Sequence, residues 1–345
     1  MCVLCGYISK EKNVAPKLLD YGESIEGLWS GFYTGVGVLG DDGVIRHRKT
    51  TGCSSVWRNH FSVDDLPGKT GFFHSRTNSG GDTRYAHPFV SCDGTTTLVG
   101  QGHAGCFAKY NDKIVDIANA LLDEGVVFSS ADPDLERKKY QVLKDGTQVH
   151  VSDIVTEYAA SLYRKCGDPL EAVRKTATDI LEEAISLFIF RDKPGHIYVS
   201  NMNARLAIRR IPDGIFMTTS LLLFDKVYGE SLEMPSNAVA DISLDSATFK
   251  PLVDNLTVGA LGNPKQLYQD VYDFIKSNDG VSLPQIMDSV VKKHCAADDV
   301  EPLFLQGLPH QIVEQMYAEG IITYETKKVP GPSCCSDPGA RTLFY

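Results

Sequence analysis

The order of strand-like and helix-like segments is the feature that most constrains how this chain can fold. A short apolar run predicts a buried strand at residues 2–8, and several more strands are predicted up to residues 95–102. Two helix patterns follow at 153–165 and 169–184, and more strands are predicted between residues 186 and 244. Strands on both sides of a helix pair, without a regular strand–helix alternation, favour antiparallel sheets covered by helices, so the predicted fold class is α+β.

Composition excludes several classes of protein. The 345 residues carry a formal net charge of −10, which argues against nonspecific nucleic-acid binding, because such binding relies on lysine and arginine neutralising phosphates. No basic-then-apolar leader pattern and no apolar run of about 18–20 residues is present, so no membrane association is predicted. The nine cysteines are scattered, which is typical of reduced thiols in the cytoplasm.

A segment containing glycine and proline at residues 257–264 predicts a domain boundary. It separates a large domain, residues 1–258, from a small module at residues 263–330. The remaining residues, 331–345, are rich in turn-forming residues and are expected to form a tail.

The small module resembles a winged helix in the order of its elements. Three helix patterns and one strand pattern occur, at residues 264–277, 283–294, 308–319 and 321–329. Winged helices commonly bind DNA. Residues 264–345 contain only seven lysines and arginines against eleven aspartates and glutamates, so we expect this module to contact protein or to be structural.

Cys2 is the strongest candidate for chemistry. If Met1 is removed, one residue carries both a thiol and a free α-amino group, with ordinary pKa values of about 8.5 and about 7.7–8.0, so the amine can accept the thiol proton. The alternative is a small buried side chain on a first strand. Cys2 and Cys5 also form a C-x-x-C pair, but no second pair accompanies it, so no metal site is predicted.

Several segments together resemble a known family. They read CVLCGYI at 2–8, GFFHSR at 71–76, AHP at 86–88, TE at 156–157, and a strand ladder at 189–220. Their order is similar to that of class II glutamine amidotransferase domains, which are N-terminal-nucleophile (Ntn) hydrolases. The glutaminase half of glucosamine-fructose-6-phosphate aminotransferase is the nearest likeness, which covers roughly residues 1–244.

The resemblance implies a four-layer αββα sandwich, with the winged-helix-like α/β module added at its end. It also implies that Cys2 attacks the side-chain amide of glutamine and releases ammonia. Arg76 takes the position that binds the α-carboxylate, a role that suits a planar guanidinium. The alternative for Arg76 is a surface salt bridge at a strand end. Thr77 and Ser79 follow it as further candidates for substrate contact.

The oxyanion-binding segment departs from the family's His-Asn-Gly and aligns in two ways. One alignment uses His103 for substrate contact and Gly105 as an oxyanion donor, with Ala104 in place of asparagine. The other uses Gln101, which keeps an amide side chain between two glycines. Asn78 is a third source of an amide. The choice matters, because losing one oxyanion donor typically costs about 10²–10³ in rate.

The amino-group-binding position departs as well. The family's aspartate is replaced by Val155, and Asp153 stands two residues earlier. Asp153 is the candidate for binding the substrate's α-amino group if the helix start is shifted. Equally, Asp153 or Ser152 is simply the residue that caps the helix.

The sequence therefore predicts an amidohydrolase that acts on glutamine or a related amide without a cofactor. The sugar isomerase domains of the aminotransferase are absent from the sequence given, so the predicted acceptor of ammonia is a synthase on another chain. The alternative is a binding or regulatory protein that keeps the fold without catalysis. A DNA-binding regulator is disfavoured by charge. The oligomeric state, including a homo-oligomer, stays open.

Overall fold

The computed structural model describes residues 2–102, 113–132, 141–180, 183–222, 231–253, 261–298, 307–333 and 335–345. The strands are β1 (Val3–Ser9), β2 (Tyr33–Leu39), β3 (Ile45–Thr51), β4 (Thr70–Arg76), β5 (Phe89–Val90), β6 (Thr96–Gly102), β7 (Gln141–Val142), β8 (Gln148–Val149), β9 (Glu183–Phe190), β10 (His196–Asn201), β11 (Ala207–Ile211), β12 (Gly214–Thr218), β13 (Ser231–Glu233), β14 (Ala238–Ser243), β15 (Ala247–Pro251), β16 (Tyr324–Val329) and β17 (Gly339–Phe344). The α-helices are α1 (Ala15–Ile25), α2 (Ser54–His60), α3 (Ile114–Asp123), α4 (Val151–Cys166), α5 (Pro169–Asp179), α6 (Pro264–Lys276), α7 (Leu283–Ile286), α8 (Lys292–Ala297) and α9 (Leu308–Ala318).

Two antiparallel sheets form the centre of the structure. The first has the strand order β13-β11-β12-β1-β4-β2-β3, and the second has the order β15-β14-β10-β9-β6-β5. Gly6 of β1 shows how closely they face each other, because a methyl group added there would lie 2.9 Å from Leu187 and 3.2 Å from Ile197 of the second sheet. The first sheet therefore presents its Gly6 side to the second sheet.

Helices cover the outer face of each sheet. On the first sheet, α1 lies so close to β4 that a methyl group added to Gly22 would be 2.5 Å from the ring of Phe73. On the second sheet, α4 and α5 bury Ile154, Ala159 and Val173 in the core that continues between the sheets. The prediction of antiparallel sheets covered by helices is confirmed.

The predicted helix at 169–184 is too long. In the structure α5 ends at Asp179, because Ile180 is extended, with φ −128° and ψ 98°. The chain then enters β9, where Ile185 is buried and pairs with both neighbouring strands. Burial between two strands outweighs the helical preference of this segment. Helices α2 and α3 were not predicted at all.

The C-terminal residues form helices followed by a hairpin of β16 and β17. The predicted helix at 283–294 is α7 followed by a π-helical turn, Met287–Val291, and then α8. The tail contains a strand, β17, that its turn-rich composition does not predict. The Thr342 N–H donates to Gly27 O at 2.7 Å, and the Ala340 N–H donates to Gly31 O at 2.9 Å, so this strand docks against the loop after α1. The winged-helix assignment stays a prediction.

The C-terminal helices share a hydrophobic core with the first sheet. Val3 and Phe73 belong to the same buried cluster as Val271, Val313 and Phe344. The C-terminal region is thus packed onto the helix-covered side of the sandwich. Among the residues the structure describes, no helix has both the length and the apolar character needed to cross a membrane.

Candidate active site

The candidate nucleophile lies where β1 begins. Val3 pairs with Ser75 in the antiparallel register of β1 and β4. Cys2 directly precedes Val3 and Arg76 directly follows Ser75, so Cys2 and Arg76 lie side by side at one end of the first sheet. Side chains alternate along a strand. Because Gly6 faces the second sheet, this alternation places Cys2 and Arg76 on the inter-sheet side, and Cys2 is partly exposed there.

Arg76 is built into this end of the sandwich. It is 3% exposed, so the alternative of a surface strand-end residue is wrong. One guanidinium nitrogen, Nη1, donates to Gly80 O at 2.8 Å, and the guanidinium carbon lies 4.7 Å from the centre of the Tyr33 ring. The Tyr33 hydroxyl in turn donates to Gly81 O at 2.8 Å. A cation held in this way is already oriented before any ligand arrives.

Thr77 and Ser79 form the turn that follows Arg76. The Ser79 N–H donates to Thr77 O at 2.8 Å, and the Thr77 hydroxyl donates to Ser79 Oγ at 3.3 Å. Both residues are partly exposed, whereas Asn78 between them is exposed. The turn thus carries two hydroxyl groups beside the buried guanidinium. The exposure of Asn78 disfavours it as an amide donor.

Gln101 lies on the inter-sheet side of the second sheet. The side chain of Leu187 points towards Gly6 of the first sheet, and Val99 pairs with Leu187, so Val99 points to the same side. Gln101 is two residues after Val99 in β6 and therefore points to that side as well. Gln101 is 3% exposed, and the pairing with β9 shifts register between Gln101 and Gly102. The structure therefore turns Gln101 towards the same space as Cys2. His103 and Gly105 of the other alignment lie outside the described residues.

Asp153 is buried in the first turn of α4. Its Oδ2 accepts hydrogen bonds from the Ser130 N–H at 2.7 Å, the Ser130 hydroxyl at 2.8 Å and the Ser129 hydroxyl at 3.1 Å. Its Oδ1 is buried and has no hydrogen-bond partner among the described residues, and burial raises the pKa of Asp153. The residue that caps α4 is His150, so the interpretation of Asp153 or Ser152 as a simple cap is wrong.

Lys49 is a charged residue near the site that sequence reasoning missed. Its Nζ donates to three backbone carbonyls, those of Ala86 at 2.8 Å, Arg84 at 3.3 Å and Pro88 at 3.4 Å. It also lies 4.7 Å from the centre of the Phe89 ring. Burial lowers the pKa of Lys49 to about 8. Lys49 thereby holds the backbone of residues 84–88, a segment that contains the buried His87.

Three buried histidines lie next to each other at this end of the molecule. The rings of His74 and His87 stack with centres 4.0 Å apart, and His150 meets His87 edge-on at 5.8 Å. Burial lowers the pKa of His74 to about 3 and lowers the pKa values of the other two well below their ordinary range. All three are therefore neutral near pH 7. Their only signal in the sequence is the motif position of His74 and His87.

The comparisons with known proteins agree with this architecture. No family model matches the sequence. The glutamine–fructose-6-phosphate aminotransferase (isomerizing) of Methanothermobacter thermautotrophicus is 30% identical over 132 residues, which are 38% of this chain and 21% of that enzyme. The chain thus matches only a small part of the length of this curated relative.

Two solved structures share the fold. The glutamine phosphoribosylpyrophosphate amidotransferase of B. subtilis, complexed with ADP and GMP, has a TM-score of 0.56 at 11% identity, with 81% of this chain and 58% of that chain covered. A structure described as the allosteric regulatory enzyme of purine biosynthesis has a TM-score of 0.55 at 13% identity, with 82% and 59% covered. The resemblance to class II glutamine amidotransferases is confirmed. At these identities the structural likeness shows the fold alone.

Proposed function

We propose that this chain is an amidohydrolase of the class II glutamine amidotransferase type, with Cys2 as its nucleophile. The observation that carries the proposal is the register of β1 and β4, which brings Cys2 beside the buried Arg76 on the inter-sheet side. Gln101 faces the same space from the second sheet. A nucleophile, a carboxylate-binding cation and an amide donor therefore converge from two sheets.

The mechanism requires removal of Met1. The α-amino group of Cys2 accepts the thiol proton, and the thiolate attacks the amide carbonyl carbon. Gln101, or the glycine-rich segment after it, donates hydrogen bonds to the oxyanion. The carbon–nitrogen bond breaks as the α-ammonium returns its proton to the leaving nitrogen, and ammonia departs. Water then hydrolyses the thioester, which releases the carboxylic acid and restores the thiol.

The proposed substrate class rests on Arg76 beside Cys2 and on Asp153 in the first turn of α4. The guanidinium of Arg76 suits a carboxylate, and the hydroxyls of Thr77 and Ser79 in the turn that follows would support it. Among the residues that the structure describes, none bonds to Oδ1 of Asp153, and a substrate ammonium would satisfy this acceptor, which supports Asp153 as the ligand of the α-amino group. Glutamine or a closely related amino-acid amide is therefore the proposed substrate.

The fate of ammonia is a further part of the proposal. An acceptor synthase on another chain would use it. The three helical segments and the β16–β17 hairpin would form the winged-helix-like module. This module would contact protein, because the acidic balance of residues 264–345 disfavours DNA binding. A thiolate nucleophile also suits a reducing compartment such as the cytoplasm.

A second candidate is a binding protein that keeps the fold without catalysis. The observation that favours it is Ala104, which stands where the family has the asparagine of its oxyanion hole. Under this alternative Cys2 and Arg76 would bind an amino-acid ligand without cleaving it. Binding without ammonia release would distinguish the two candidates.

The decisive experiment measures ammonia release from a panel of amides by the full chain. We expect glutamine, or an amide close to it, to be hydrolysed, and Cys2→Ala to abolish the activity. Intact mass should show the loss of Met1, and a glutamine-like electrophile should add one label to the wild type and none to Cys2→Ala. Retained Met1 together with no labelling would contradict the proposal.

Two other cysteines provide matched controls for the labelling. Cys166 is exposed, so Cys166→Ala tests whether any accessible thiol reacts. Cys5 is buried beside Thr218, and burial raises its pKa to about 12, so Cys5→Ala tests a thiol of low reactivity on the same strand. Both variants should keep the label and the activity.

A further inference from the structure

Both backbone groups of Gly100 are held by histidine side chains. The His74 Nε2 atom lies 2.9 Å from Gly100 O, and the Gly100 N–H donates to His87 Nδ1 at 3.2 Å. The two rings stack on each other, 28° from parallel. Gly100 directly precedes Gln101, so this pair of contacts fixes the backbone from which Gln101 extends.

The end of β6 has little strand pairing on the β5 side. Strand β5 pairs with β6 only at Leu98 and Thr97, whereas β6 continues to Gly102. Within the described part of the chain, no strand pairs with this edge of β6 beyond Leu98, and the two imidazoles provide the hydrogen bonds that a strand would. Two glycines and a register shift make this strand end conformationally permissive.

His74 also ties the two sheets together. It lies on β4 of the first sheet, two residues before Arg76, and its hydrogen bond reaches Gly100 of the second sheet. Because Cys2 belongs to the first sheet and Gln101 to the second, the distance between these two residues depends on how the sheets are held at this end. The His74–Gly100 contact is a direct link of that kind.

The contacts define the protonation of each ring. His87 accepts at Nδ1, so its proton is on Nε2, which donates to Ser152 Oγ at 3.3 Å. His74 donates from Nε2, which leaves its Nδ1 as a buried acceptor, and no residue of the described ranges bonds to it. Lys49 fixes the carbonyls of Ala86 and Pro88 on either side of His87. Because both rings are neutral, the arrangement persists at neutral pH.

We propose that His74 and His87 are positioning residues for amide cleavage, which hold Gly100 so that Gln101 keeps its direction towards Cys2. This inference rests on the proposed amidohydrolase function. Neither histidine needs to touch the substrate. Their effect is on the donors that stabilise the oxyanion, so it falls on the transition state and leaves substrate binding through Arg76 intact.

The test compares substitutions that break each hydrogen bond with substitutions that keep it. His74→Leu and His87→Leu remove the bonds at similar volume. His74→Gln keeps a donor near the Nε2 position, and His87→Asn keeps an acceptor near the Nδ1 position. We expect kcat for the preferred amide to fall about 10- to 100-fold in the leucine variants, while KM stays nearly unchanged. This loss is smaller than the 10²- to 10³-fold loss of rate that removal of an oxyanion donor typically causes. The glutamine and asparagine variants should recover most of kcat.

Two readouts separate positioning from general damage. Alkylation of Cys2 by iodoacetamide forms no tetrahedral oxyanion, so its rate should stay within about two-fold in all variants if only the donors are misplaced. Hydrogen exchange of the Gly100 N–H should be slow in the wild type and His87→Asn and fast in His87→Leu. His196→Asn, at the far end of β10, serves as the matched histidine control.

The outcomes are distinct. A leucine variant with faster Gly100 exchange and unchanged kcat would overturn the positioning role while leaving the proposed function intact. If the leucine variants do not fold, His87→Asn is compared with His87→Gln, whose acceptor is displaced by one methylene, and equal kcat values would overturn the inference. No ammonia from any amide with the wild type would refute the proposed function, and this inference with it.

Discussion

Glu26 gives the sharpest test of the energetics of this fold. It follows α1, is 4% exposed, and accepts hydrogen bonds from the N–H of Ser54 at 2.8 Å and from its hydroxyl at 2.6 Å, at the first residue of α2. Burial raises the pKa of Glu26 from 4.5 to about 7, although the Ser54 hydrogen bonds act in the opposite direction. The substitution Glu26→Gln removes the titration and keeps an acceptor for Ser54.

The sign and size of the effect follow from proton linkage. Between pH 4.5 and about 7 the folded chain retains the Glu26 proton, whereas the unfolded chain releases it. The free energy of unfolding therefore falls as pH rises through this window. The contribution is fully present below pH 4.5 and is lost above about 7. At about 1.4 kcal/mol per pH unit, the whole change is about 3 kcal/mol.

Urea unfolding at pH 4.5 and pH 8 measures this change. Other groups titrate too: burial also raises the pKa of Glu157 to about 7 and lowers the pKa values of the buried histidines. The quantity to follow is thus the difference in free energy of unfolding between wild type and Glu26→Gln. It should drop by about 3 kcal/mol from pH 4.5 to pH 8. The partly exposed neighbour Glu23→Gln is the control, and a flat difference for Glu26→Gln would refute the reasoning.

Two further substitutions test other parts of the structure. Arg76→Ala should raise KM about 10- to 100-fold for an amide with an α-carboxylate, because a charge-assisted hydrogen bond is lost. KM for an amide without an α-carboxylate should hardly change. Steady-state kinetics with both substrates measures the two KM values, and equal increases would contradict the prediction. Glu314→Gln should lower the free energy of unfolding by about 2 kcal/mol, since Glu314 is the carboxylate of α9 that binds Arg205, Ser220 Oγ and the Leu221 N–H. Urea unfolding measures it, with exposed Glu319→Gln as the control, and a loss no larger than that of the control would count against this role.

The sandwich could be predicted because its signals are local. Short apolar runs mark β1 and β4 as buried strands, and the order of the motifs carries the resemblance that implies the sandwich. The ends of elements follow from distant contacts instead. The segment after Asp179 leaves the helix because Ile185 is buried between two strands, and β17 exists because β16 and the loop at Gly27 supply its partners. Neither contact can be seen in a short window of sequence.

The residues of the candidate site also differ in whether they could be predicted from the sequence. Cys2 and Arg76 could be paired from motif order alone. Lys49 could not, because it lies in the charged run Arg46–Lys49, which is typical of a solvated strand edge. In the structure its ammonium contacts carbonyls more than thirty residues away in sequence. The histidine contacts with Gly100 are equally nonlocal, so their role could not be read from the motifs that contain them.

The altered oxyanion segment need not mean that catalysis is lost. An asparagine at position 104 would act from the residues after β6, whereas Gln101 would act from within the strand and has one more methylene. A longer side chain is useful only if its backbone is fixed, because each additional rotatable bond widens the positions that the amide can occupy. The histidine contacts on Gly100 provide that fixed starting point one residue before Gln101. If Gln101 is the donor, then Gln101→Ala should lower kcat about as much as loss of an oxyanion donor does. The double variant Gln101→Ala, His87→Leu should have nearly the same kcat as Gln101→Ala alone, since both substitutions remove one and the same function.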